Sequence, residues 1–393
     1  MLDDVLMLFD SAIKARASDI ILRTGYRPVA RIDGKIRFLG DEAFSDEDAE
    51  ALLAQVLSPE EVLQFQVVKE KDTALALPGL GRFRANILRQ RRRTAFVFRI
   101  VKETIPSMQG LCLPVAPLER LALLERGLVL VTGIAGSGKS TTLAALLDLM
   151  NKRTARHIVT IEDPIEYMFR DGTCAITQRE IGIDTPDYAT ALKSVVRQTP
   201  DVILVGEMRD LETVHAVLTA AETGHLVLST LHTVNAPQTV ERILSFFPPH
   251  QHALVRTQLS LVLEGVVSQR LVSKRGSAGR VPAIEIMLGT PTVKELLLQG
   301  KTRELATAIE EGYAHYGSQS FNQSLAGLVR DGLIEVDDAM AAADNPDELR
   351  LALRGISKGS QPLPGAPASA PATAAPGVPP RRPGIQPGNQ PPR

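Results

Sequence analysis

Residues Gly133-Ile134-Ala135-Gly136-Ser137-Gly138-Lys139-Ser140 spell G-x-x-x-x-G-K-[ST] in full. Such a loop can turn its backbone N–H groups inward on a phosphate, because glycines at 133, 136 and 138 tolerate the tight path this requires. A helix starting near Lys139 and running on through Thr141 adds its positive N-terminal dipole. Lys139 is then placed for the β- and γ-phosphates of ATP, and the Ser140 hydroxyl for Mg²⁺. A second element is the apolar run Asp201-Val202-Ile203-Leu204-Val205-Gly206-Glu207, which resembles a Walker B strand ending in a carboxylate. Gly206 stands where an aspartate is common, so Glu207 is left as the acid for Mg²⁺, directly or through water. Asp201, at the start of the strand, reads as a solvated turn residue.

The third cluster is Thr160-Ile161-Glu162-Asp163-Pro164-Ile165-Glu166, again directly after an apolar run. Carboxylates at the C-terminal end of a strand lie where open α/β sheets hold their ligands. Hydrolysis needs one of them to orient or deprotonate water, and Glu162 is the candidate, with Glu166 in support. His225 and His232 bracket the strand 226–231. Two histidines at that spacing are usually structural and do not share a metal, but His232, at the phosphate edge, is placed to donate to a γ-phosphate. The arginines Arg82, Arg84, Arg89, Arg91, Arg92, Arg93 and Arg99 interleave with Phe83, Phe96 and Phe98. Their period-2 alternation sends the aromatics to a core and leaves Arg82, Arg84 and Arg99 to reach the triphosphate of a neighbouring site as arginine fingers.

These residues need elements to hold them. From Gly127 the chain alternates β-branched runs (127–132, 157–161, 201–205, 226–230) with helical stretches (139–150, 211–222), the pattern of a parallel sheet covered on both faces. After about Arg280 the pattern reads as mostly helical to Leu353. Upstream, residues 1–102 read as a smaller α+β domain. It comprises an amphipathic helix, a short strand 19–22, strands 29–32 and 35–39 about an Asp33-Gly34 turn, helices 46–57 and 59–68, and strands 81–89 and 95–101. A proline-punctuated linker, 103–117, separates it from the nucleotide-binding domain, 118–355. The remainder, 356–393, rich in Pro, Ala and Gly, reads as a disordered tail.

Composition narrows the classes further. The 393 residues are 44% hydrophobic and 23% charged, with a formal charge of -1, so there is no overall electrostatic footprint for stable nucleic-acid binding. Two cysteines, Cys112 and Cys174, build neither a disulfide framework nor a zinc knuckle and suit a reducing cytoplasm. Met1 to Arg16 carries acids inside an amphipathic pattern, unlike a signal peptide. No apolar run approaches the roughly 20 residues of a membrane-spanning helix, which argues against direct membrane insertion.

The motifs GIAGSGKST, TIEDPIE, DVILVGEMRD and AETGHLVLSTLHT, in that order, resemble the Walker A, Asp box, Walker B and His box of the secretion-motor ATPase superfamily. The chain is most similar to type IV pilus retraction (twitching motility) ATPases of the PilT/PilU type, over about residues 1–355, including QRE at Gln178–Glu180. The resemblance implies a RecA-like P-loop motor domain with a smaller PAS-like N-terminal domain. It further implies a homo-oligomer, a hexameric ring, and a place at the cytoplasmic base of the pilus on an inner-membrane platform protein. Residue by residue, it assigns phosphate and metal roles to Lys139 and Ser140 and the general base to Glu162. Glu207 becomes the Walker B acid, His225 and His232 the His box, and Arg84 and Arg99 the arginines that complete the active site. Two cysteines cannot supply the tetracysteine zinc module common in extension and secretion relatives, which favours retraction over assembly. The retraction motif AIRNLI is replaced by Thr292-Val293-Lys294-Glu295-Leu296-Leu297, and Asp344–Leu353 is more like the accessory PilU branch, which works beside a sister retraction ATPase. A nucleic-acid translocase and a non-hydrolytic scaffold are the other readings of the same elements. Near-neutral charge argues against the first, and the intact acids Glu162 and Glu207 against the second.

Overall fold

A computed structural model describes residues 2–32, 35–77, 79–101, 104–276 and 279–355. The Asp33-Gly34 turn and the segment 356–393 lie outside the described residues.

The N-terminal part is a six-stranded antiparallel sheet. In chain order its strands are β1 (Ala17–Arg23), β2 (Val29–Ile32), β3 (Lys35–Phe38), β4 (Glu70–Leu77), β5 (Gly81–Gln90) and β6 (Arg93–Ile100). In space they run β3-β2-β1-β6-β5-β4. Alternation on β5 and β6 sends Phe83, Ala85, Ile87, Phe96 and Phe98 into the core beneath the helix Leu2–Lys14. Phe9 of that helix meets Phe83 and Phe98 edge-on, each at 4.9 Å between centroids. The intervening positions 82, 84 and 99 carry arginine on the other face, as period-2 alternation requires.

The second part holds β7 (Gly127–Thr132), β8 (His157–Glu162), β9 (Ala175–Glu180), β10 (Val202–Val205), β11 (Leu226–Leu231), β12 (Leu263–Ser273) and β13 (Arg280–Leu288). Their order is β13-β12-β7-β11-β10-β8-β9, and every neighbouring pair is parallel except β12 with β13. β7, β10 and β11 are buried along their whole length, because helices cover both faces and every side chain must be apolar or satisfied. Two separate cores, one per face, result.

The region after Arg280 differs from the helical reading. It opens with a nine-residue strand paired along β12. Pro282 and Glu285 break the apolar run that would mark a strand. Pro282 is tolerated because β13 is the edge of the sheet, and Glu285 because its carboxylate accepts from Ala236 N at 2.7 Å and Ser268 Oγ at 3.1 Å. β4 and β9, the far edges of the two sheets, also escape a periodicity reading because their mixed burial leaves no clean apolar stripe.

Removing the Phe83 ring at the centre of the aromatic cluster leaves a cavity that the sheet cannot close. Phe83→Ala should therefore lose about 3–5 kcal/mol of N-terminal stability, read as a shifted midpoint in urea unfolding. A loss below ~1 kcal/mol would contradict the packing described.

Candidate functional site

One cleft opens where β7, β8, β10 and β11 end. It is lined by Ala135, Gly136, Lys139, Ser140, Glu162, Asp163, Glu166, Gly206, Glu207, Arg209 and His232, among others. The strand-to-helix crossovers place these residues together, as the C-terminal edge of an open parallel sheet does generally.

The loop 133–138 enters from β7 and ends in the helix Lys139–Arg153. Gly138, its N-cap, has φ +92°, and Gly133 has φ +146°. The Lys139 ammonium curls the loop by donating to Gly133 O at 2.9 Å and Ile134 O at 3.1 Å. Burial pushes its pKa down, while Glu207 and Glu166 pull it up. Lys139 also donates to His232 Nδ1 at 3.4 Å, and His232 Nε2 meets Glu207 Oε1 at 3.2 Å. A ring that accepts at Nδ1 must carry its proton at Nε2, which is the geometry for donating to Glu207. The other Glu207 oxygen accepts from Arg209 Nε at 3.0 Å, and Arg209 reaches Asp163 Oδ2 at 3.1 Å. Lys139, His232, Glu207, Arg209 and Asp163 thus form one polar chain along the cleft.

Glu162 ends β8. Thr160 Oγ1 donates to its Oε1 at 2.7 Å and Gln178 Nε2 does so at 3.3 Å. Burial raises its pKa above the ordinary carboxylate range, against the pull of those two donors. Gln178 also donates to Tyr167 O at 2.9 Å, and Tyr167 Oη meets Thr141 Oγ1 at 2.9 Å, so the acidic loop is tied to the helix that follows the phosphate loop. Gly206 has a steric reason: a Cβ there would stand 2.8 Å from Tyr188 Oη and 3.4 Å from Ile161 O. Asp201 is exposed, and its carboxylate accepts from His157 N at 2.7 Å.

His225, Arg84 and Arg99 stand away from the phosphate loop of their own chain. His225 directly precedes β11, at the opposite end of the strand from His232. Its Nδ1 lies 3.0 Å from Ala220 O and its own carbonyl accepts from Gly127 N, so strand length separates it from the cleft. Arg84 and Arg99 do not line the phosphate-loop cleft of their own chain. They line an adjoining cleft between the two sheets, with Thr141, Glu166 and Tyr167. Arg84 donates to Pro164 O at 3.1 Å, and Arg99 to Asp19 Oδ1 at 2.9 Å. Burial lowers the Arg84 pKa, opposed by Glu166, Glu180 and Glu162. Arg82 pairs with the buried Glu180 at 3.1 Å. The parts played by Arg209, Gln178 and Tyr188 went unread in the sequence; Arg209 had a signal, since it directly follows the Walker B acid by two residues.

Ser140 and Glu207 are the oxygen donors fit for Mg²⁺. The ion is normally held by one or two carboxylates together with phosphates and water. Among the described residues no group of three or more His, Cys, Asp or Glu could hold a metal by itself. A cation that arrives with phosphate suits this donor set.

The sequence profile described as "Type II/IV secretion system protein" matches residues 3–326. The type IV pilus retractation ATPase PilT of Pseudomonas aeruginosa is 42% identical over 344 residues, 88% of this chain and 99% of that protein. The type IV pilus ATPase PilU of the same organism is 38% identical over 342 residues, 87% of this chain and 89% of that protein. A crystal structure of the pilus retraction motor PilT with bound ADP superposes with a TM-score of 0.81 at 42% identity, covering 88% of this chain and 98% of that one. The Legionella pneumophila ATPase DotB gives 0.70 at 26% identity, covering 86% and 96%. With that profile spanning most of its length and relatives matched nearly end to end, the chain belongs to the Type II/IV secretion system protein family.

Proposed function

We propose that this chain, an ATPase of its family, is the subunit of a hexameric motor that converts ATP hydrolysis into type IV pilus retraction for twitching motility. The observation that carries the reading is the single cleft holding Lys139, Ser140, Glu162, Glu207 and His232 around the phosphate loop. Lys139 and the loop N–H groups of 133–138 hold the phosphates, with Thr141 at the start of the helix behind them. Ser140 and Glu207 hold Mg²⁺, which, when bound, neutralises phosphate charge. Glu162, raised in pKa by burial, takes the proton of the attacking water, and Glu166 supports the charge balance opposite Lys139. His232, donating from Nε2, reports the γ-phosphate to the Lys139–Glu207 chain. Arg84 and Arg99 act on a triphosphate held by a neighbouring subunit, which their place between the two sheets permits once the N-terminal part moves.

The motor works in the cytoplasm at the inner-membrane base of the pilus, against a platform protein. Among the described residues no helix is long and apolar enough to cross a membrane. The similarity to PilU leaves a place for an accessory member acting with a sister retraction ATPase. Deleting the gene tests direction. Retraction predicts cells crowded with surface pili that no longer twitch, whereas bald cells would indicate assembly.

A base works only when deprotonated, so kcat should fall as pH falls through the raised Glu162 pKa, with the acid limb centred above the ordinary value of 4.5. Thr160→Val removes a donor that favours the charged form and should move that limb to still higher pH. A limb that stays put or moves down removes Glu162 from the role. Glu162→Gln should keep ATP binding yet turn over slowly.

If the arginines reach transition-state charge, Arg84→Ala and Arg99→Ala should each lower kcat by up to about 10³–10⁵ with little change in ATP affinity. Steady-state kinetics of the full chain decides this. An effect near twofold would reduce both to the contacts with Pro164 and Asp19 seen here.

A further inference from the structure

Gln269, in the middle of β12, is 2% exposed and belongs to none of the motifs that mark the site. Its Nε2 donates to Ser137 O, and its Oε1 accepts from Thr142 Oγ1 at 2.9 Å. One amide therefore bridges the end of the phosphate loop and the first turn of the helix behind it, spanning Lys139 and Ser140. The start of the loop leans on the same residue: a Cβ on Gly133 would stand 2.5 Å from Gln269 O, and one on Gly138 3.0 Å from Gln269 Nε2.

The strand that carries it is held through the residues on either side. Ser268 Oγ accepts from Thr132 Oγ1 and donates to Glu285, each at 3.1 Å. Arg270 donates to Ala342 O at 2.8 Å and lies 3.8 Å over the Phe321 ring.

We infer that Gln269 is a positioning residue that sets the phosphate loop for nucleotide. A peptide unit is planar and trans, so its C=O and N–H point in opposite directions. Holding the Ser137 carbonyl toward β12 turns the Gly138 N–H the other way, to the side where Gly136, Lys139 and Ser140 face the cleft. Gln269 touches no nucleotide; it acts through the direction of one peptide. The inference rests on the nucleotide reading of this cleft.

The test is the affinity of the full chain for ADP, by titration calorimetry, beside thermal unfolding without nucleotide. Gln269→Leu, similar in bulk, leaves Ser137 O and Thr142 Oγ1 without their partner and should weaken ADP about tenfold. Thr142→Val loosens the other end of the amide and should weaken ADP about threefold, and the double variant should be no weaker than Gln269→Leu alone. A structural role would lower the unfolding temperature without moving the affinity. Gln269→Leu with the wild-type ADP affinity, or single effects that multiply in the double variant, overturns the inference. Should Gln269→Leu not fold, Gln269→Met carries the test: it fills the same space but donates nothing to the Ser137 carbonyl, and unchanged ADP binding in it is equally fatal. Wild-type protein that binds no ADP would instead remove the nucleotide reading itself.

Discussion

A buried ammonium has to be satisfied by oxygen, and at this cleft that requirement shapes the loop around it. Lys139 bonds the carbonyls of Gly133 and Ile134, so the loop closes back on its own lysine instead of extending into solvent. Carbonyls drawn inward at the start and outward to Gln269 at the end set the directions of the loop's peptide units. The same ammonium anchors the polar chain through His232 and Glu207 to Arg209 and Asp163. The acids that follow two separate strands, Glu207 and Asp163, are therefore bridged by Arg209, which offsets the repulsion that neighbouring carboxylates otherwise suffer.

The N-terminal sheet meets this arrangement through polar contacts. Arg82 pairs with Glu180 and Arg84 donates to Pro164 O, both on the acidic side of the cleft. Glu180 ends β9, the edge strand, and its carboxylate also approaches Ile165 N at 3.4 Å. The loop that carries Glu162 and Glu166 is thus gripped from outside by the other sheet. Charge-assisted contacts of this kind can be exchanged for others at modest cost, unlike an apolar interface of core type.

Most of the site was legible because it is local. The phosphate loop, the Walker B strand and the TIEDPIE cluster each lie within one strand and its following turn, so short stretches of sequence already pick out Lys139, Ser140, Glu162 and Glu207, which line one cleft. The parallel sheet was equally legible, since fully buried strands must be continuously apolar. His225 stands at the end of β11 away from His232, as two histidines bracketing one strand must, so membership of the motif does not bring it to the cleft. β13 was misread because Glu285 and Pro282 look wrong for a strand until Ser268, the Ala236 N–H and the free sheet edge are seen to accommodate them.

The sequence by itself therefore determined which groups are on offer: a G-x-x-x-x-G-K-S loop and carboxylates at strand ends, each encoded by neighbours a few residues apart. It determined the family as well. Tertiary structure decided what holds and tunes that chemistry. Gln269 lies more than a hundred residues from the loop it braces, Gln178 reaches Glu162 from the edge strand, and Arg84 comes from another sheet altogether. No local pattern carries such pairings, because they arise only when strand order brings β12 beside β7 and β9 beside β8. The shifted pKa values of Glu162 and Lys139 come from the same source, since burial is a property of the packed molecule and not of the motif.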